Sequence, residues 1–137
     1  MSQPRPTVSA ELIWSDGLRL GATSGDTALV IDGDSIAGPS PVQLLVMSLA
    51  ACMGIDVLDI LVKGRHGLTG FRTSITAERP PDPPRRLLSA TLTFHIHGAV
   101  PEPAVERAIA LSRDKYCSVW HSLRQDITLT TSFEILA

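Results

Sequence analysis

Residues 42–62 form one almost unbroken apolar run, broken only by Gln43, Ser48, Asp56 and Asp59 among polar side chains. A run of this length has few places to go. It begins with three agreeing helix-start signals: Ser40 as cap, Pro41 in the first helical position, and Gln43 closing a Ser-x-x-Gln capping box. It ends at Lys63, with Gly64 as the stop. From Leu44 to Ile55 the helix is apolar nearly all round, so burial on most sides is expected, and with it a place at the centre of the fold. About 20 apolar residues would also cross a bilayer. Asp56 and Asp59 near one end, without anchoring residues, favour a buried globular helix, and no membrane is expected as a partner.

The flanking sequence reads as strands. Residues 11–34 give two or three, with Leu12 and Trp14 on one face, Leu18 and Leu20 on the next strand, and Ala28, Leu29, Val30 and Ile31 as a buried strand. Ser15-Asp16-Gly17 and Ser24-Gly25-Asp26 are turns. After the helix, residues 71–77 and 88–97 alternate and pair as a long antiparallel hairpin around a Pro-rich loop, residues 79–86. A second helix is expected over 103–115, with Val105, Ala108, Ile109 and Ser112 on one face. A short helical piece over 118–124 and a strand over 127–135 follow. The fold class is α+β, with helices segregated to one face of antiparallel sheet. One domain over residues 1–137 is expected, with residues 1–9 as a flexible tail. So few strands cannot cover so apolar a helix, which predicts a homodimer sharing one core.

Composition narrows the function. Hydrophobic residues make up 44% of the 137 and charged residues 19%, so the chain can bury a core. The net charge is −2 with no basic run, which argues against nucleic acid as a partner, since phosphate binding needs clustered Lys and Arg. The first six residues carry no apolar leader, so a cytoplasmic location is expected, where a permanent disulfide is uncommon.

Against that background the two cysteines stand out. Cys52 lies inside the apolar helix, and Cys117 at the start of a short helical piece. Thiols so far apart in sequence are a staple, half of a metal site, or a redox couple. No CxxC or HxxxH spacing supports zinc with His66 or His121, and neither a metal nor a cofactor is expected. His95 and His97 share the strand face opposite Leu92, Phe94 and Ile96, and solvent is their simplest surround. His121, four residues after Cys117, could meet it on a helix. Asp59 is a solvated or paired charge, and Trp14 and Trp120 are pocket or interface walls.

The order of these pieces resembles the OsmC/Ohr family. Gly38-Pro39-Ser40-Pro41-Val42-Gln43-Leu44-Leu45, then Leu49-Ala50-Ala51-Cys52 and Ile55-Asp56-Val57, resemble its first cysteine helix. Lys115-Tyr116-Cys117-Ser118-Val119 resembles its second cysteine motif, and Trp14-Ser15-Asp16-Gly17-Leu18-Arg19-Leu20 its N-terminal strand pair. The resemblance implies an intertwined homodimer with antiparallel sheets around a long buried central helix. It also implies reduction of organic hydroperoxides, or of a similar apolar molecule, with Cys52 attacking, Cys117 resolving as a disulfide, and a thiol reductant recycling the pair. Arg19 matches the arginine that polarises the first cysteine.

The chemistry agrees, because the thiolate is the nucleophile and a thiol in an apolar helix needs a fixed cation. Cys117 is expected to gain thiolate character from the first turn of its helix. One departure bears on activity. The family glutamate ten residues before the first cysteine, or one residue later in another branch, falls here on Val42 and Gln43. Asp56, one turn past Cys52, is the candidate substitute, with Gln43 as a second supporting residue. The rival function is a small-ligand-binding dimer without peroxide chemistry.

Overall fold

The computed structural model describes residues 3–137. Met1 and Ser2, part of the expected tail, lie outside the described residues. Residues 3–10 are exposed and irregular, and the Ser9 carbonyl accepts a hydrogen bond from Ser24 Oγ at 2.7 Å. The chain divides into two compact units, one ending at Leu45 and one spanning Val46–Ala137.

The first unit is a three-stranded antiparallel meander: β1 (Glu11–Trp14), β2 (Arg19–Ser24) and β3 (Thr27–Asp32). Both turns fall where the sequence places them. Gly25 has φ +57° between Ser24 and Thr27, a conformation that costs glycine nothing and lets the two-residue hairpin follow the strand twist. In these strands only Ala22 and Asp32 are buried, while Leu12, Ile13, Trp14, Leu29 and Val30 stay exposed.

Helix α1 (Pro41–Lys63) starts as its sequence dictates. Gln43 Oε1 accepts from the Ser40 N–H at 2.9 Å, and Ser40 Oγ accepts from the Gln43 N–H at 3.2 Å, closing the capping box. Lys63 pairs with Asp59 at 2.8 Å, one turn earlier. The expected burial on most sides is not what α1 shows within one chain. Leu49, Ala50, Met53, Gly54, Val57 and Leu61 are buried, and together they make one face. Met47, Ile55 and Val62 are exposed on another. By length and composition α1 could cross a membrane. Its buried face and the Asp56 hydrogen bond described below are those of a core helix.

The second unit carries a sheet of order β4-β5-β6: β4 (Gly67–Glu78), β5 (Ser89–Ala99) and β6 (Thr128–Leu136). β4 and β5 form the expected long hairpin, with Ile75 opposite Leu92 and Thr73 opposite Phe94. Gly54 of α1 meets β4 closely, since a Cβ there would lie 3.1 Å from Thr73 Cγ2. The core of the unit is this helix face against Leu92, Phe94 and Ile96, all fully buried.

Two expectations need correction here. β6 runs parallel to β5, so the sheet is mixed rather than antiparallel. The helices between them form the long crossover that parallel strands require. The helix expected over 103–115 is two pieces, α2 (Glu102–Leu111) and a π-helical turn, Ser112–Tyr116. The short α3 (Ser118–His121) then stops three residues before the expected end at 124. A π turn leaves no periodic mark in sequence, because it only shifts hydrogen bonding by one residue.

Candidate active site

Three side chains from two segments converge in the second unit. Cys52 and Asp56 sit one turn apart on α1, so they share a face. Cys117 follows the π turn and caps α3. Cys52 Sγ, an Asp56 carboxylate oxygen and Cys117 Sγ all lie within 4.8 Å of one another. Both cysteines are free thiols. They differ in access, since Cys52 is half-buried and Cys117 fully buried.

The π turn sets this geometry. Its last bond runs from the Cys117 N–H to the Ser112 carbonyl at 2.8 Å. Its first residue, the fully buried Ser112, donates its hydroxyl to Asp56 Oδ2 at 2.8 Å. The one irregular turn thereby aims Cys117 at α1 and orients the carboxylate beside it. The sequence sets Ser112 on one helix face with Val105, Ala108 and Ile109 and carries no signal of this contact with Asp56.

The electrostatics of Cys117 reverse the expected thiolate character. The Trp120 N–H does donate to Cys117 Sγ, at 3.4 Å, as a helix start allows. Burial outweighs it. Together with Cys52 and the Asp56 charge, burial pushes the Cys117 thiol up to about 11. A cap on a four-residue helix is too weak to stabilise a charge removed from water.

Arg19 and Gln43 belong to the first unit. Arg19 has two carboxylate partners there, Asp32 at 3.4 Å and Asp16 at 3.5 Å. Asp32 is almost fully buried and also accepts N–H bonds from Ala37, Asp34 and Ile36. These bonds hold its carboxyl below the usual range, the Ala37 N–H contributing most. Asp32 therefore fixes the arginine that Val42 and Gln43 cannot hold by charge. Gln43 is occupied by its cap. Nothing in the sequence marks Asp32 for this role, because it ends a strand in a Gly-Asp-rich turn, where a solvated aspartate is the ordinary case.

The remaining aromatic and histidine residues sort simply. Trp120 is buried beside Cys117, whereas Trp14 is exposed and donates its indole N–H to the Gly17 carbonyl at 2.9 Å. His121 has an exposed side chain. His95 is not solvent-facing as expected. It bridges Ser74 at 3.1 Å and Glu134 at 2.5 Å, which ties the outer face of β4, β5 and β6 together.

Fold and thiol pair define a class. The chain belongs to the OsmC-like protein family, whose profile matches residues 32–132. It is similar to Protein YhfA of Escherichia coli K12, 35% identical over 133 residues, covering 95% of this chain and 99% of that protein. The fold is similar to a hypothetical protein from Aquifex aeolicus VF5, with TM-score 0.88 and 26% identity, covering 96% and 97% of the two chains. It is also similar to an organic hydroperoxide resistance protein OsmC from Legionella pneumophila, with TM-score 0.69 and 16% identity over 96% and 99% of the chains, a likeness of fold alone.

Proposed function

We propose that the protein reduces organic hydroperoxides with Cys52 and Cys117. The observation that carries this reading is the convergence of two free thiols, one accessible and one buried, within 4.8 Å. Membership of the OsmC-like family supports a peroxide-related stress role. The Cys52 thiolate attacks the outer peroxide oxygen. The O–O bond breaks, the alcohol leaves with a proton, and Cys52 becomes a sulfenic acid. Cys117 then attacks that sulfur, a disulfide forms, and water leaves. Asp56, beside both sulfurs, is the base placed to take the Cys117 proton. A dithiol reductant restores the pair. The accessible thiol attacks and the buried one resolves, which is the order the family pattern assigns. Arg19, held by Asp32, is the cation that pattern supplies to the attacking thiol.

The apolar surface supports a homodimer as the working form. β1–β3 have little core of their own, and α1 exposes Met47, Ile55 and Val62. A second copy of the chain is the partner proposed for these surfaces. The second reading, an apolar-ligand-binding dimer without turnover, is favoured by one observation. Gln43, at the site of the family carboxylate, is neutral and spent on capping.

The test is to add one equivalent of an alkyl hydroperoxide to the reduced protein and count thiols. Loss of both, with an intramolecular Cys52–Cys117 disulfide by mass spectrometry, supports the reaction. Thiols that survive excess peroxide overturn it in favour of ligand binding.

A further inference from the structure

The thiol pair never stands alone: its third neighbour is a carboxylate. In the resting pair the Asp56 charge opposes a Cys117 thiolate, because two anions at this distance repel. Yet the fully buried Ser112 hydroxyl is used to hold it there. Two sulfurs and a carboxylate oxygen on one face of a helix and the end of a π turn are a donor set that suits a thiophilic cation once the thiols give up their protons. We propose that Cys52 Sγ, Cys117 Sγ and the Asp56 carboxylate form a binding site for a thiophilic divalent cation of the zinc class, with a fourth position open to water.

The dimensions agree. Two thiolates on one tetrahedral zinc sit about 3.8 Å apart, and a thiolate and a carboxylate oxygen about 3.6 Å apart. Both separations fall inside the 4.8 Å within which the three donors lie. Two ligands one turn apart on α1 come from a rigid element, and the third is fixed by its own backbone bond to Ser112. Ser112 Oγ on Asp56 is the outer partner that orients a ligating carboxylate. Sulfur donors select zinc over magnesium and calcium, which take oxygen. On binding, the two thiols release their protons to solvent and two metal–sulfur bonds form, with no change of oxidation state.

The site uses the reduced form of the pair and stands whether or not the pair turns over peroxide. It makes metal binding and disulfide formation mutually exclusive. An alkyl hydroperoxide that takes two electrons from the thiols removes both sulfur ligands and releases the ion.

The experiment is a titration of the reduced, metal-free full chain with zinc against a chromophoric chelator, and with cobalt as an optical probe. The expected result is one equivalent bound per chain, a near-ultraviolet thiolate-to-cobalt band, visible bands of tetrahedral cobalt, and no competition by magnesium or calcium. Cys52→Ser, at the half-buried ligand, should abolish the charge-transfer band while circular dichroism stays native. Ser112→Ala should weaken affinity roughly tenfold or more. Absence of stoichiometric uptake by the wild type, or uptake unchanged in Cys52→Ser, overturns the proposal. Peroxide turnover is assayed separately on metal-free protein, so the two readings fail independently.

Discussion

Cys117 is held as a thiol, and that has a measurable consequence. Folding raises its pKa from 9.0 to about 11, so the folded chain prefers the protonated form. The stabilisation is complete below pH 9.0 and is lost as pH climbs towards 11. Two pH units correspond to about 2–3 kcal/mol. Denaturant unfolding of Cys52→Ser at pH 8 and at higher values should show this decline, and Cys117→Ala in the same background should flatten it. At pH 8, iodoacetamide should label Cys52 in the native protein and leave Cys117 until the chain unfolds. The acid side belongs to Asp32. Its carboxyl is held low by N–H donors and Arg19, so its contribution is present above pH 3.8 and is lost as pH falls below that value. Asp32→Asn turns an amide donor towards three N–H groups. The variant should be less stable at neutral pH and lose less on acidification, measured by denaturant titration at both.

At the scale of elements, α1 is bounded by its cap and by its close approach to β4. Ser40→Ala should cost about 1 kcal/mol by leaving the Gln43 N–H without its side-chain partner. Gly54 is the contact point with the sheet. An alanine Cβ, 3.1 Å from Thr73 Cγ2, needs a small shift that its better helix propensity offsets. Gly54→Leu has no such room and should destabilise by about 1–3 kcal/mol. Thermal unfolding of the pair of variants separates propensity from overpacking. If Gly54→Leu melts with the wild type, the tight α1–β4 contact is wrong.

For the whole molecule, the exposed apolar surface is the property to test. Met47, Ile55 and Val62 on α1, with Leu12, Ile13 and Trp14 on β1, are a large apolar area to leave in water. Light scattering at micromolar concentration should return twice the chain mass. Ile55→Glu should shift the protein towards monomer or lower its melting temperature in a concentration-dependent way. A wild-type monomer with native helix content would sink the dimer.

The chain's own sequence determined whatever depends on neighbours in the chain. The capping box, the extent of α1, both turns of the meander and the β4–β5 hairpin are local, because caps, turn glycines and alternating side chains act over a few residues. The pairing of Cys52 with Cys117 was readable only through a family resemblance, since the 64 residues between them carry no distance information. Tertiary structure decided the rest. It set β6 parallel to β5, because strand direction depends on how the crossover returns and not on the strand's own pattern. It inserted the π turn, whose first residue, Ser112, bonds both the Cys117 N–H and Asp56. It left α1 buried on one face, because apolarity states what a helix tolerates and only packing states what covers it. And it made Cys117 a stubborn thiol: helix starts favour charge, but the depth of burial, which no local pattern encodes, was the larger effect.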